Sequence, residues 1–386
     1  MGTLCAMQPA NTPQTASEPG WYPDPWGQPG HWRWWSGQAW TANVTVNAVP
    51  QRKPRLPAWL SVPVILGGLI MIPLLIFTFV ATPLAIPLGI VPALIVCPVL
   101  IWLDRVEPEP RPARIHALLW GALTATAVSI IINSLADALF GEAISTVVSA
   151  PLVEEGMKAA AILWAVRRHE VDSVMDGVVY AGWVAIGFAV VEDMLYFSTA
   201  LAEGDLVVVF VIRAVLSPFA HPLFTVWTGI AIGRAIQRPK PVLPAAMGGY
   251  VIAVITHAMW NGSLVNAENM GGELFLLVTA VLFVTLFFSV AIVLYRLRRK
   301  EEQRFVAAVP WMAHRYQMAT GEVEVFGHFR QMMRTRKQLP AADRTRFDAV
   351  HAALARLAVL HNRPDGSDLE TEARLVDQLQ RARSGT

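Results

Sequence analysis

From residue 58 to residue 295 the chain is almost continuously apolar, broken into about eight runs of membrane-spanning length at 58–79, 83–103, 115–135, 147–166, 174–200, 214–236, 242–265 and 274–295. A helix needs roughly 20 apolar residues to cross the hydrocarbon layer, and a water-soluble core does not absorb so many such runs in succession. They predict an all-α fold, a polytopic membrane helix bundle of about eight spans. Composition agrees, with 54% hydrophobic and only 16% charged residues and a mean hydropathy of +0.43. The first two runs contain Pro63, Pro73, Pro87, Pro92 and Pro98. Each proline removes a backbone donor, so kinks are expected there unless neighbouring helices satisfy the freed carbonyls.

Basic residues in short loops stay on the cytoplasmic side of a membrane. Here they occupy every second connection: Arg52, Lys53 and Arg55 before the first run, Arg105, Arg111 and Arg114 after the second, Arg167 and Arg168 after the fourth, Arg234, Arg238 and Lys240 after the sixth, and Arg296, Arg298, Arg299 and Lys300 after the eighth. The intervening loops at 133–146, 201–206 and 266–273 hold Asp137, Glu142, Glu203, Asp205 and Glu268 but no Lys or Arg. The expectation is a multi-pass protein of the cell membrane with both termini cytoplasmic.

Outside the bundle (58–296) the chain divides into four further segments. Residues 1–17 are polar and read as a disordered N-terminus, lacking the basic start and apolar core of a signal peptide. Residues 18–45 hold Trp21, Trp26, Trp34, Trp35 and Trp40 separated by turn residues, enough for a very small aromatic core. This Trp-rich module reads as a folded tether or interaction patch, and no nucleic-acid partner is expected. A linker follows at 46–57. The segment 297–386 reads as a helical cytoplasmic tail, because Phe347, Val350, Leu354, Leu357 and Leu360 recur every three or four residues. The final stretch with Glu370, Glu372, Arg374 and Asp377 reads as a solvated polar helix. With only Cys5 and Cys97, neither a disulfide framework nor a cysteine-based metal site is expected.

Ionisable side chains inside a membrane span are costly and mark function. Glu154, Glu155 and Lys158 lie in the run 147–166, Glu192 in 174–200, His221 in 214–236 and His257 with Asn261 in 242–265. At 1.5 Å per residue, Glu154, Glu155 and Glu192 fall ~12 Å below the outer surface. His221 and His257 fall at a matching depth. Residues four apart share a helix face, which pairs Glu154 with Lys158, Phe188 with Glu192 and His257 with Asn261. Glu155 is turned about 100° from Glu154, so one of the two faces the centre and the other is placed to pair with Lys158. Packed with these faces inward, the helices would enclose a polar chamber in the outer half of the bilayer, open to water from the non-cytoplasmic side, with the lipid bilayer around the bundle as a partner.

This set (Glu-Glu-x-x-Lys, Phe-x-x-x-Glu, a histidine, then His-x-x-x-Asn) resembles the PrsW family of intramembrane proteases, over roughly residues 100–265. The wider group includes the CAAX prenyl endopeptidases and Abi-type membrane proteases, whose pattern is similar to Glu-Glu-x-x-x-Arg, Phe-x-x-x-His, then His-x-x-x-Asn or Asp. Here Glu192 stands where that pattern has His, and the basic residue Lys158 comes one position earlier than its Arg. The segment 104–110, Asp-Arg-Val-Glu-Pro-Glu-Pro, also resembles one that accompanies PrsW proteins. The resemblance implies endopeptidase cleavage of a membrane-anchored protein substrate, of the anti-sigma-factor kind.

The residues suit that chemistry on their own account. Amide hydrolysis needs a base for water, a group for the oxyanion and an acid for the leaving amine. Glu154 or Glu155 can serve as base, with Lys158 beside them and Asn261 holding the oxyanion or orienting a histidine. His221, His257 and Glu192 form a candidate ligand set for zinc, leaving one tetrahedral position for water. A metal-free glutamate protease uses the same residues, with Glu154 activating water and His257 and Asn261 donating to the oxyanion. His-Glu-x-x-His does not occur.

Singly, each residue has a plainer reading. Glu154, Glu155 and Lys158 can lock helices as an ion pair; His257 can be a core histidine; His221, between Pro218 and Pro222, can fill a helix break; Arg213 reads as an interfacial snorkel, and Asp176 and Asp193 as structural or interfacial. A proton- or ion-coupled transporter would also bury such groups, but would show internal repeats, and neither Glu-Glu-x-x-Lys nor His-x-x-x-Asn recurs. A non-catalytic membrane scaffold with a docking tail is the third alternative.

Overall fold

The computed structural model of the chain describes residues 20–24, 26, 31–45, 60–238, 240–267, 272–362 and 369–384. The expected disordered segment 1–17 and linker 46–57 lie outside the described residues. Two compact units are present, one of residues 54–300 and one of residues 1–53 with 301–386.

In the first unit the main helices are α1 (Val62–Ala81), α2 (Ala85–Leu103), α3 (Arg111–Phe140), α4 (Ala150–Arg167), α5 (Val174–Glu203), α6 (Leu206–Phe210), α7 (Ala220–Gln237), α8 (Val242–Val265) and α9 (Gly272–Arg315), the last belonging to this unit up to residue 300. Among the described residues seven helices are long and apolar enough to cross a membrane, with Leu206–Gln237 counting as one crossing. The expected span at 147–166 corresponds to α4, which is not among these seven because its 18 residues carry Glu154, Glu155 and Lys158. The bundle is inverted relative to a soluble protein. Leu69, Phe77 and Val80 of α1 and Leu277 and Phe288 of α9 point outward, while Glu154, Glu155, Lys158, Asp193 and His257 are buried. Lipid is the solvent for that outer face.

The prolines do not interrupt the first two spans, since α1 runs through Pro73 and α2 through Pro92 and Pro98. Helix α3 begins before the expected residue 115, because Pro112 sits in its first turn, where a missing N–H costs nothing. It ends at Gly141, whose φ of +84° suits glycine. Three stretches widen into π-helix: Trp120–Ala125 inside α3, Ser145–Ser149 leading into α4, and Val211–Leu216 continuing α6. The expected sixth span at 214–236 starts earlier, at Leu206, and breaks at Ser217–Phe219, where Pro218 cannot continue the ladder.

Helix α5 is the centre of the bundle and is buried along most of its length. Small residues let its neighbours approach closely. A Cβ on Gly121 of α3 would stand 2.0 Å from the Val184 carbonyl oxygen, and Gly177 of α5 faces Gly229 of α7 in the same way. A capping box of Ser173 and Asp176 starts α5, so Asp176 has a structural role, as its reading in isolation suggests.

In the second unit an antiparallel sheet joins β1 (Gly20–Pro23), β2 (Trp32–Trp35) and β3 (Trp40–Thr45) in that order. Trp34 is its buried centre. Arg33 pairs with Asp24 at 2.8 Å and lies over the Trp26 ring. The tail helices are α10 (Thr320–Gly327), α11 (Phe329–Gln338), α12 (Ala341–His361) and α13 (Leu369–Ser384). The stripe expected on α12 is largely buried, with Val350, Leu354, Leu357 and Leu360 in the core. The reading of the last segment as a solvated helix is corrected: Leu375, Val376 and Leu379 of α13 join Met312 and Leu354 in one apolar cluster, because every third or fourth residue there is aliphatic.

Candidate active site

Helices α4, α5, α7 and α8 bring Glu155, Lys158, Glu192, His221 and His257 into one hydrogen-bonded group, with Glu154 beside it. The i, i+3 spacing on α4 lets Lys158 Nζ reach Glu155 Oε1 at 2.8 Å, and the i, i+4 spacing sets it 3.6 Å from Glu154 Oε2. Lys158 Nζ also lies 3.1 Å from His221 Nδ1 and 4.1 Å from the centre of the Phe188 ring. An ammonium only donates, so His221 Nδ1 accepts and its Nε2 carries the proton. That Nε2 donates to Glu192 Oε2 at 2.9 Å.

Glu155 is saturated. Its Oε1 accepts from Lys158 and from His257 Nδ1, the latter at 3.3 Å, and its Oε2 accepts from Thr225 Oγ1 at 2.8 Å. Glu154 is in the opposite state: its Oε2 is buried and has no hydrogen-bond partner. It faces His257 Nε2 at 4.0 Å. The His257 ring is stacked on Phe224 at 4.5 Å, which holds its plane, while Glu155 holds its Nδ1.

These groups form the floor of a cavity of about 600 Å³. Glu154, Glu192, Arg213, His221, His257 and Asn261 line it, whereas Glu155 and Lys158 do not and are fully buried behind it. Its walls run to Asp137, Glu142 and Val265, so it extends toward the end of the bundle where α3 gives way to α4 and α8 ends. Asn261 lies on the His257 face of α8, as its spacing requires, and donates its amide to the Thr146 carbonyl at 2.9 Å.

Three side chains change their meaning in the folded chain. Arg213 does not snorkel: its guanidinium binds both Glu192 and Asp193 of α5 and covers the Tyr196 ring at 3.8 Å. The sixth crossing begins before Arg213 rather than after it, which puts the residue inside the bundle. Asp193 is correspondingly buried and paired. Thr225, not singled out in the sequence, holds Glu155; its place one turn after His221 was the available signal. A potential metal-binding trio also emerges. Glu154, His221 and His257 offer ligand atoms all within 4.8 Å of one another, while Glu192, expected to ligate, is engaged by Arg213 and His221.

A polytopic bundle that buries carboxylates, imidazoles and an ammonium beside a polar-lined cavity is of the class of membrane-embedded hydrolases of peptide type. The comparisons agree. The sequence model described as PrsW family intramembrane metalloprotease matches residues 109–311, over half of the chain. The chain therefore belongs to the PrsW family and is a membrane peptidase. Similar relatives include proteins named Protease PrsW from Geobacillus kaustophilus, 30% identical over 171 residues that make up 44% of this chain and 74% of the relative, and from Oceanobacillus iheyensis, 27% identical over 224 residues that make up 56% and 96%. A third, from Clostridioides difficile, is 31% identical over 36% of this chain and 64% of its own. Residues 19–53 match a family described only as a protein of unknown function (DUF2510). No solved structure matches the chain.

Proposed function

We propose that the chain is an intramembrane endopeptidase that cuts a peptide bond in a membrane-anchored protein, using a water held between Glu154 and His257. The observation that carries this reading is the 4.0 Å separation of Glu154 Oε2 from His257 Nε2 at the cavity floor. That gap is too wide for a direct hydrogen bond, and because Glu154 Oε2 is buried the two side chains must part slightly to admit a bridging oxygen.

In this reading Glu154 takes the proton as the water oxygen attacks the scissile carbonyl carbon. It returns that proton to the amine nitrogen as the carbon–nitrogen bond breaks. One N–H of Asn261 is used by Thr146, and its second is assigned to the developing oxyanion. Glu155 is assigned to orientation, since its oxygens are committed to Lys158, His257 and Thr225. Lys158 offsets the two carboxylates from behind the cavity wall.

The donor set also suits zinc. Two imidazoles and a carboxylate converge, Glu154 Oε2 is orphaned, and His257 is tied back by a carboxylate in the manner of an oriented metal ligand. Glu154 and His257 Nε2 would hold the ion, and His221 Nδ1 would join them on giving up its hydrogen bond from Lys158, with Glu192 orienting the ring; in this version Glu154 is a ligand and not the free base. Bound there, zinc would supply a more acidic water and polarise the carbonyl.

The distribution of basic residues supports cytoplasmic termini and a cavity mouth on the opposite side. A single-pass substrate with an extracytoplasmic stub fits that mouth, and an anti-sigma-factor-like protein is the family analogy. In this reading the peptidase domain is 58–296, between the Trp-rich module (18–45) and the tail (297–386). The test is cleavage of a panel of single-pass proteins by wild type and Glu154→Gln. Loss of cleavage in a folded variant is expected, and full activity in Glu154→Gln would overturn the assignment.

A further inference from the structure

Glu192 is gripped from both sides of a helix break. Arg213 lies on the π-helical turn Val211–Leu216 before the break, and His221 lies in the first turn of α7 after it. Across Ser217–Phe219 the regular ladder is interrupted, with Ser217 N–H reaching back to Ile212 and Ala220 N–H to Ser217. The backbone of α6 therefore does not by itself dictate where the first turn of α7 sits, and side-chain contacts must. The same carboxylate oxygen, Glu192 Oε2, accepts from the Arg213 guanidinium and from His221 Nε2. Arg213 is fixed in turn by Asp193 and by the ring of Tyr196.

We propose that Arg213 is a positioning residue: it clamps Glu192 and, through it, fixes the imidazole of His221 in the candidate centre. This rests on the peptidase reading of the site. Two adjacent carboxylates on α5 need a cation that reaches both, and the planar fork of arginine does so where a lysine point charge reaches one. Without it, Glu192 and Asp193 are left as neighbouring like charges with His221 as the remaining partner of Glu192. That carboxylate would then turn away and leave the ring held by its Lys158 hydrogen bond alone, free to tilt.

The test uses the full chain in lipid nanodiscs, with Arg213→Met, Arg213→Lys, Glu192→Gln and the Met/Gln double variant. Cleavage kinetics of a single-pass substrate are measured with the ¹⁵N resonances of the His221 imidazole. Arg213→Met should lower kcat roughly 10- to 100-fold at unchanged KM, the scale on which partners that orient a ligand act. Arg213→Lys should recover part of the loss. The double variant should be no worse than Glu192→Gln, because the two residues act as one unit, and the His221 resonances should move alike in both single variants. Unchanged kcat, full multiplication of the two effects, a rise in KM alone, or an unmoved His221 signal would each overturn the proposal. If Arg213→Met does not accumulate as folded protein, Arg213→Gln is read by the same criteria. A wild type that cuts no substrate would sink the peptidase reading, while the His221 signal would still decide the clamp.

Discussion

Glu155 and Lys158, three residues apart on α4, close an ion pair at 2.8 Å in which both side chains are fully buried. Next to it, Glu154 keeps one carboxylate oxygen without a hydrogen bond. Two neighbouring carboxylates thus sit in opposite states, one committed to the scaffold and one facing the cavity.

The first prediction separates them. Glu154→Gln should abolish cleavage, by roughly 100-fold or more for loss of a general base, with little change in thermal unfolding. Glu155→Ala should instead lose folded protein, because removing one partner of a buried pair strands the other at a cost of about 3–5 kcal/mol. Unfolding midpoints in detergent, taken with cleavage rates, check both. Similar midpoints for the two variants would refute the division of roles.

Metal content is the second. Purified wild type is expected to carry about one zinc per chain by the ligand set it offers, and His257→Ala should lose it along with activity. Elemental analysis of the two proteins decides this. Equal zinc in both, or none in either, removes the metal and leaves hydrolysis by Glu154 standing.

Helix contact supplies a third. Because a Cβ at Gly121 would meet the Val184 carbonyl oxygen at 2.0 Å, Gly121→Ala must push α3 from α5 and should cost about 1–3 kcal/mol. Gly248 on α8 has nothing within 4 Å of such a Cβ. Gly248→Ala should be neutral or stabilise by up to ~1 kcal/mol through helix propensity. Thermal scans of the pair would contradict the packing if the order were reversed.

Asp104, just beyond the end of α2, gives a pH prediction. Burial pushes its carboxyl up to about 7, against the pull of the Glu109 backbone N–H and Arg114. The folded state therefore favours the protonated acid more than the unfolded chain does, where the ordinary value is ~4. Its contribution to stability is full below about pH 4 and is lost as pH rises through about 7. Wild type should lose more thermal stability than Asp104→Asn between those limits. Parallel pH profiles for the two proteins would show that Asp104 does not titrate in this window.

Much of this protein is local and therefore readable along the chain. Apolar length dictates the spans, because an unsatisfied backbone group is too costly in lipid for anything but a helix. Helical spacing likewise pairs Glu154 with Lys158 and His257 with Asn261 on shared faces. Other features depend on how each helix is rotated against its neighbours. Contacts between residues far apart in the chain decide that: Glu155 meets Thr225 across 70 positions and His257 across 102. Those contacts choose Glu154 over Glu155 as the carboxylate facing the cavity. They also turn Arg213 from a surface anchor into a clamp on Glu192, and gather the aliphatic residues of α13 into a core. Periodicity finds the face of a helix, but only packing decides what that face meets.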